Sequence, residues 1–97
     1  MLFTLFCLDR PNRLDTRLAA RESHLRYIAA YAEKVVHAGP LLDNDNRPCG
    51  SLLVIDVEDR AAAEGFAASD PYAKVDLFES VVIRGHRMLY RDGALVE

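Results

Sequence analysis

Two segments of the chain are apolar at nearly every position, and a long stretch between them carries apolar residues at helical spacing. The first segment, Leu2-Phe3-Thr4-Leu5-Phe6-Cys7-Leu8, ends at Asp9-Arg10-Pro11 and reads as a buried strand. From Leu14 or Asp15 onward, Leu14, Leu18, Leu25, Ile28, Ala29, Ala32 and Val36 fall on one stripe of a helix. Gly39-Pro40 terminates what precedes it. A short strand is expected from Val35 to Leu42, its start open because Val35 and Val36 suit either element. Asp43-Asn44-Asp45-Asn46-Arg47-Pro48 is dense in turn formers and predicts a hairpin loop, with Cys49 in the turn. Ser51 to Val57 is the second apolar segment and a third strand. Asp59 is placed to cap a helix over Arg60 to Ala68, which Asp70-Pro71 stops because proline disfavours helical geometry in the preceding residue. A last strand is expected from about Leu77 to Leu89.

The order is βαββαβ. Two crossovers of the usual hand place both helices on one face of a four-stranded antiparallel sheet, a ferredoxin-like α+β arrangement forming a single domain over residues 1–97. The strands add a further constraint. Phe3, Leu5 and Cys7 point one way and Leu2, Phe6 and Leu8 the other, and Leu53 and Ile55 oppose Leu52 and Val54 in the same manner. Two helices cover only one face. A second copy packed sheet to sheet about a two-fold axis would cover the other, giving a homodimer of the dimeric α/β-barrel type that could assemble further. The alternative is a far face left partly wet, at the risk of aggregation.

Composition narrows the function classes. The residues are 51% hydrophobic and 28% charged with a formal net charge of −3, an ordinary globular balance with no basic excess to attract nucleic acid or an anionic membrane. The opening apolar run lacks a basic leader and a small-residue cleavage site, and it is too short to span a bilayer. Cys7 and Cys49 do not form a disulfide framework and suit a reducing cytoplasm. In 97 residues the core is modest, so pairing with a second copy would add burial.

The polar residues of the first helix break its pattern. Arg21 falls inside the apolar stripe, and Arg17 and His24 lie on its edge. A guanidinium on the core side needs an anion or an opening to solvent, so this flank reads as the wall of a cleft. Equally, Arg21 can snorkel along the sheet edge and His24 can be a half-exposed helix residue. Asp70 has two readings as well: cap of a helical turn Asp70 to Lys74 with Pro71 at its first position, or partner of an imidazole. A carboxylate bonded to one nitrogen of His24 would fix its tautomer for general acid–base work. His37 and His86 lack metal-ligand spacing, and no phosphate loop, nucleophile elbow or dinucleotide fingerprint is present, so neither metal nor cofactor is expected. Cys7 reads as a small core residue, and the backbone near Gly39 as a wall for a pocket.

Arg17-Leu18-Ala19-Ala20-Arg21-Glu22-Ser23-His24-Leu25, His37-Ala38-Gly39-Pro40-Leu41 and Ser69-Asp70-Pro71-Tyr72 resemble, in order and spacing, three motifs of YciI-like proteins. The resemblance covers nearly the whole chain and is least marked from Arg84 to Glu97. It implies a ferredoxin-like fold that dimerises through its sheets, with His24 and Asp70 at the positions of the family's active-site pair. Members include a dehydrochlorinase of a chlorinated hydroxyhydroquinone, and the wider superfamily holds muconolactone isomerase and cofactor-free monooxygenases. The expectation is a cofactor-independent lyase or isomerase acting on a polar or aromatic metabolite. His24 would be the general base or acid and Asp70 its orienting partner. Arg21, with Arg17, would hold an anionic or phenolate oxygen, and Gly39 and Tyr72 would line the cleft. The rivals are a non-catalytic ligand-binding or sensor protein and an accessory subunit of a larger enzyme.

Overall fold

Leu5 lies at the centre of the sheet, paired with Leu53 on one side and Ile83 on the other, and all three side chains are buried. The computed structural model describes residues 1–97. Along the chain run β1 (Leu2–Asp9), α1 (Leu14–Ala30), a short 3-10 turn (Ala32–Lys34), β2 (Val35–Leu42) and β3 (Pro48–Asp56). There follow α2 (Arg60–Ser69), α3 (Pro71–Lys74), β4 (Phe78–His86) and a small hairpin of β5 (Tyr90–Arg91) and β6 (Ala94–Leu95). The four long strands form one sheet in the order β2-β3-β1-β4, every neighbouring pair antiparallel. This is the ferredoxin-like α+β fold.

The strand faces divide as alternation requires. Phe3, Leu5, Cys7, Leu53, Ile55 and Ile83 are buried beneath the helices with Ala63, Phe66 and Ala67 of α2. The opposite face carries Leu2, Thr4, Phe6 and Leu8 beside Leu52, Val54 and Val82, and no helix covers it: Phe6 is 40% exposed and Leu8 and Val82 are each 39%. Pro40 is accommodated because β2 is an edge strand. Gly50 answers to a tighter constraint. A Cβ there would collide with the carbonyl oxygen of Cys7, so the approach of β3 to β1 admits only glycine.

Asp59 caps α2 by accepting from the Ala62 N–H at 2.8 Å. Tyr27 ties α1 to α2 through a 2.8 Å hydrogen bond to the Phe66 carbonyl, and Tyr27, Tyr31 and Phe66 pack ring to ring. No helix is long and apolar enough to cross a membrane.

Three boundaries and one packing expectation differ from the sequence reading. β3 begins at Pro48, which brings Cys49 into the strand rather than the turn, at a position the register skips between Leu41 and Leu42. α2 runs one residue further, to Ser69. The last strand ends at His86, and the chain doubles back at Asp92-Gly93, both with positive φ, to form the β5–β6 hairpin. The largest difference concerns α1. Its only buried residue is Arg17, whereas Leu18 and Leu25 are 56% and 45% exposed. Their stripe does not seal against the sheet; it stands off from β2 and β3 and leaves a cleft.

Candidate functional site

The cleft has a volume of about 280 Å³ and lies between α1 and the β2–β3 edge of the sheet. Leu18, Leu25 and Ile28 line its helix side, Ala38, Gly39, Pro40 and Leu53 its sheet side, and Arg17, Arg21, His24, Ser51 and Tyr72 bring polar groups to it. Gly39 has no neighbour within 4 Å of where a Cβ would sit, so its missing side chain widens the cleft rather than relieving a clash.

Asp70 occupies the junction between α2 and α3. The chain breaks from helix there because Pro71 follows, and the extended backbone turns the carboxylate back over the first turn of α3. One oxygen accepts the Tyr72 N–H at 2.9 Å. The same carboxylate lies 2.8 and 3.0 Å from Nδ1 of His24, a residue 46 positions earlier on α1. The two readings of Asp70, helix cap and imidazole partner, are therefore both satisfied by one side chain. Both groups are well shielded, with side-chain exposures of 13% for His24 and 5% for Asp70.

An ionised carboxylate only accepts, so Nδ1 of His24 carries the hydrogen and Nε2 keeps its lone pair when the ring is neutral. Nε2 makes no hydrogen bond within the chain; His24 uses Nδ1 alone. The imidazole also stacks on the Tyr72 ring, the centroids 4.0 Å apart and the planes 15° from parallel. Stacking on one side and the carboxylate on an edge leave the ring one orientation.

Beneath this pair lies a buried ion pair that the sequence reading did not find. Arg17 donates to both carboxylate oxygens of Asp9, at 2.7 and 2.9 Å, and to Ser51 Oγ at 2.9 Å. The two charged side chains are 5% and 6% exposed. Burial alone would lower the Arg17 pKa, but the hydrogen bond and charge of Asp9 outweigh it and hold the guanidinium above its ordinary value. Its cationic carbon also sits 4.5 Å from the centre of the Tyr72 ring, a cation–π contact. Nε and Nη2 of Arg17 are taken up inside the protein, and both Arg17 and Arg21 line the cleft, Arg21 being exposed and without a carboxylate partner. Strand parity carried the missing signal. Asp9 alternates with Phe3, Leu5 and Cys7 on the inward face of β1, and an inward acid calls for a cation.

His37 and His86 lie away from this cleft, on a groove they share with Val54, Met88 and Tyr90. Cys7 is buried in the core, and burial pushes its thiol up to about 12.

A family model described as a YCII-related domain matches residues 1–87. An uncharacterized protein of Haemophilus influenzae is 33% identical over 98 residues, covering 93% of this chain and all of its own length. Protein YciI of Escherichia coli is 26% identical over the same share of each. Among solved structures, 5-chloro-2-hydroxyhydroquinone dehydrochlorinase (TftG) from Burkholderia phenoliruptrix, in complex with 2,5-dihydroxybenzoquinone, superposes with a TM-score of 0.84. It is 28% identical, with 90% of this chain and 94% of that chain covered. A structure from Bacteriodes thetaiotaomicron assigned to antibiotic biosynthesis monooxygenases has a TM-score of 0.58 at 14% identity and shares the fold alone.

Proposed function

Because this chain belongs to the YCII-related domain family, we propose that it is a small-molecule enzyme of the lyase or isomerase type, moving a proton on a small oxygenated ring without a cofactor. The observation that carries the proposal is the His24–Asp70 pair at the wall of an open cleft, with Nδ1 held by the carboxylate and Nε2 free. A histidine so oriented accepts a proton at Nε2, and the imidazolium that results is stabilised by the carboxylate against Nδ1.

The lining agrees with such a ligand. Apolar side chains of Leu18, Leu25, Ile28 and Pro40 flank a space of about 280 Å³, which suits a single ring rather than a chain. Arg21 offers an unpaired guanidinium to an anionic or phenolate oxygen. The TftG structure holds a ring of that description, and its relation to this chain supports elimination or tautomerisation as the reaction type.

The open sheet face belongs to the same proposal. Phe6, Leu8 and Val82 are exposed together on a face no helix covers, and a second copy packed against it makes the protein a homodimer.

The test is His24→Ala assayed on a panel of chlorinated and hydroxylated aromatics. Loss of turnover with ligand binding retained supports the assignment. Unchanged turnover on an accepted substrate removes His24 from the mechanism, and saturable binding with no product from the wild type favours a ligand-binding protein instead.

A further inference from the structure

Tyr72 is 2% exposed, and the side chain its hydroxyl meets in the chain is the Arg17 guanidinium, which can only donate to it, so the hydroxyl hydrogen has no acceptor within the protein. Every fully buried side-chain nitrogen or oxygen in the protein has a partner. The space that the Tyr72 side chain lines, and into which that hydrogen can be given, is the cleft. A tyrosine this deeply placed ordinarily satisfies its hydroxyl, because burying one without a partner is unfavourable. Everything else about the residue is fixed: the ring is clamped between His24, the Arg17 guanidinium and the edge of Phe78, and the N–H is held by Asp70.

We propose that the Tyr72 hydroxyl is the second acid–base group of the cleft, donating its hydrogen to an oxygen of the bound ring while His24 acts on carbon. The inference rests on the cleft being a site for a small oxygenated ring. In turnover, Nε2 of His24 takes a proton from a carbon next to a ligand carbonyl. The C–H electron pair becomes the new C=C bond, the carbonyl π pair moves onto oxygen, and that oxygen takes the Tyr72 proton. The imidazolium then returns a proton to the phenolate, directly or through water, so no oxidant or reductant is consumed. Burial raises the Tyr72 pKa, and the charges of Arg17 and Arg21 with the Arg17 hydrogen bond pull it back only in part, so the phenol starts neutral and able to donate. The same two cations face the phenolate that forms.

The experiment uses 2,5-dihydroxybenzoquinone as probe, titrated by its visible absorbance into wild-type protein and Tyr72→Phe. The variant keeps the ring and its stack and removes only the hydroxyl. Loss of a hydrogen bond to a charged oxygen is expected to weaken binding by about tenfold or more. Circular dichroism and thermal melting check that the variant folds. A second measurement needs no variant at position 72: in wild-type protein labelled at tyrosine Cζ, the Tyr72 resonance, assigned by eliminating Tyr27, Tyr31 and Tyr90 with single Phe substitutions, shifts when the probe binds. Wild-type binding that Tyr72→Phe leaves unchanged, or a Tyr72 resonance unmoved by saturating probe, overturns this inference alone. Failure of the wild type to bind the probe overturns it together with the proposed ligand class.

Discussion

The carboxylate of Asp70 lies 2.8 Å from Nδ1 of His24 and 2.9 Å from the backbone N–H of Tyr72, so one side chain holds both an imidazole and the helix that presents the ring stacked on it. Cap and partner are coupled: α3 cannot shift without moving the carboxylate that orients His24. Asp70→Asn keeps an acceptor for the N–H but removes the charge facing the imidazole. Turnover on any accepted substrate is expected to fall by about 10²-fold or more, with a stability loss of about 1–3 kcal/mol. Steady-state kinetics beside urea unfolding separates the two effects, and an unfolding midpoint that falls with no change in kcat would reduce Asp70 to a cap.

The ion pair of Asp9 with Arg17 makes a stability prediction. Both side chains are nearly inaccessible, so removing one leaves an uncompensated charge in a poorly polarisable surround. Arg17→Met is expected to destabilise by about 3–5 kcal/mol, and Asp9→Leu with Arg17→Met to recover part of that loss. Urea denaturation of Arg17→Met, Asp9→Leu and the double variant reads it, with the double-mutant cycle giving the sign of the coupling.

Two glycines that look alike in sequence are expected to respond oppositely. Gly50→Ala drives a Cβ into the Cys7 carbonyl and is expected to cost about 1–3 kcal/mol as β3 moves off β1. Gly39→Ala meets nothing within 4 Å and should stay within about 0.5 kcal/mol of wild type. Its methyl group would instead project into the cleft wall, so any effect appears in ligand affinity rather than in the thermal melt.

Alkaline pH provides a test of burial. Burial raises Cys7 from 9.0 to about 12, with the charge of Asp70 adding to the effect, and burial beside Tyr31 raises Tyr27 from 10.0 to about 12. Each group ionises more easily unfolded than folded. The stability they contribute is thus complete below pH 9 and is lost as pH rises toward 12. Unfolding midpoints should fall across that window, less steeply in Cys7→Ala. In the folded protein at pH 8, a thiol reagent should modify the half-buried Cys49 and spare Cys7.

The uncovered sheet face predicts a dimer that one charge can break. Phe6→Asp places a carboxylate among Leu8, Leu52 and Val82 without disturbing the core, since Phe6 faces away from the helices. Analytical ultracentrifugation at micromolar protein should show a dimer for the wild type and a folded monomer for the variant. A monomeric wild type would show that a wet face is tolerated.

Much of this molecule was determined by local sequence. The alternation of Phe3, Leu5 and Cys7 against Leu2, Phe6 and Leu8 required a sheet with two apolar faces. Asp59 and Asp70-Pro71 set the ends of α2 because capping and proline sterics act within a few residues. The motif resemblance picked out His24 and Asp70, but spacing alone left each of them two meanings. Their contact was decided by tertiary structure, because a hydrogen bond between residues 46 apart depends on how α1 lies over α3. The packing of α1 was decided there as well. Its stripe of Leu18 and Leu25 has the period of a core face, and period alone cannot tell a helix face that meets the sheet from one that stands off and lines a cleft. Among the contacts that hold α1 in that position is the inward pair of Arg17 with Asp9, two charges whose strength exists only where the fold excludes water around them.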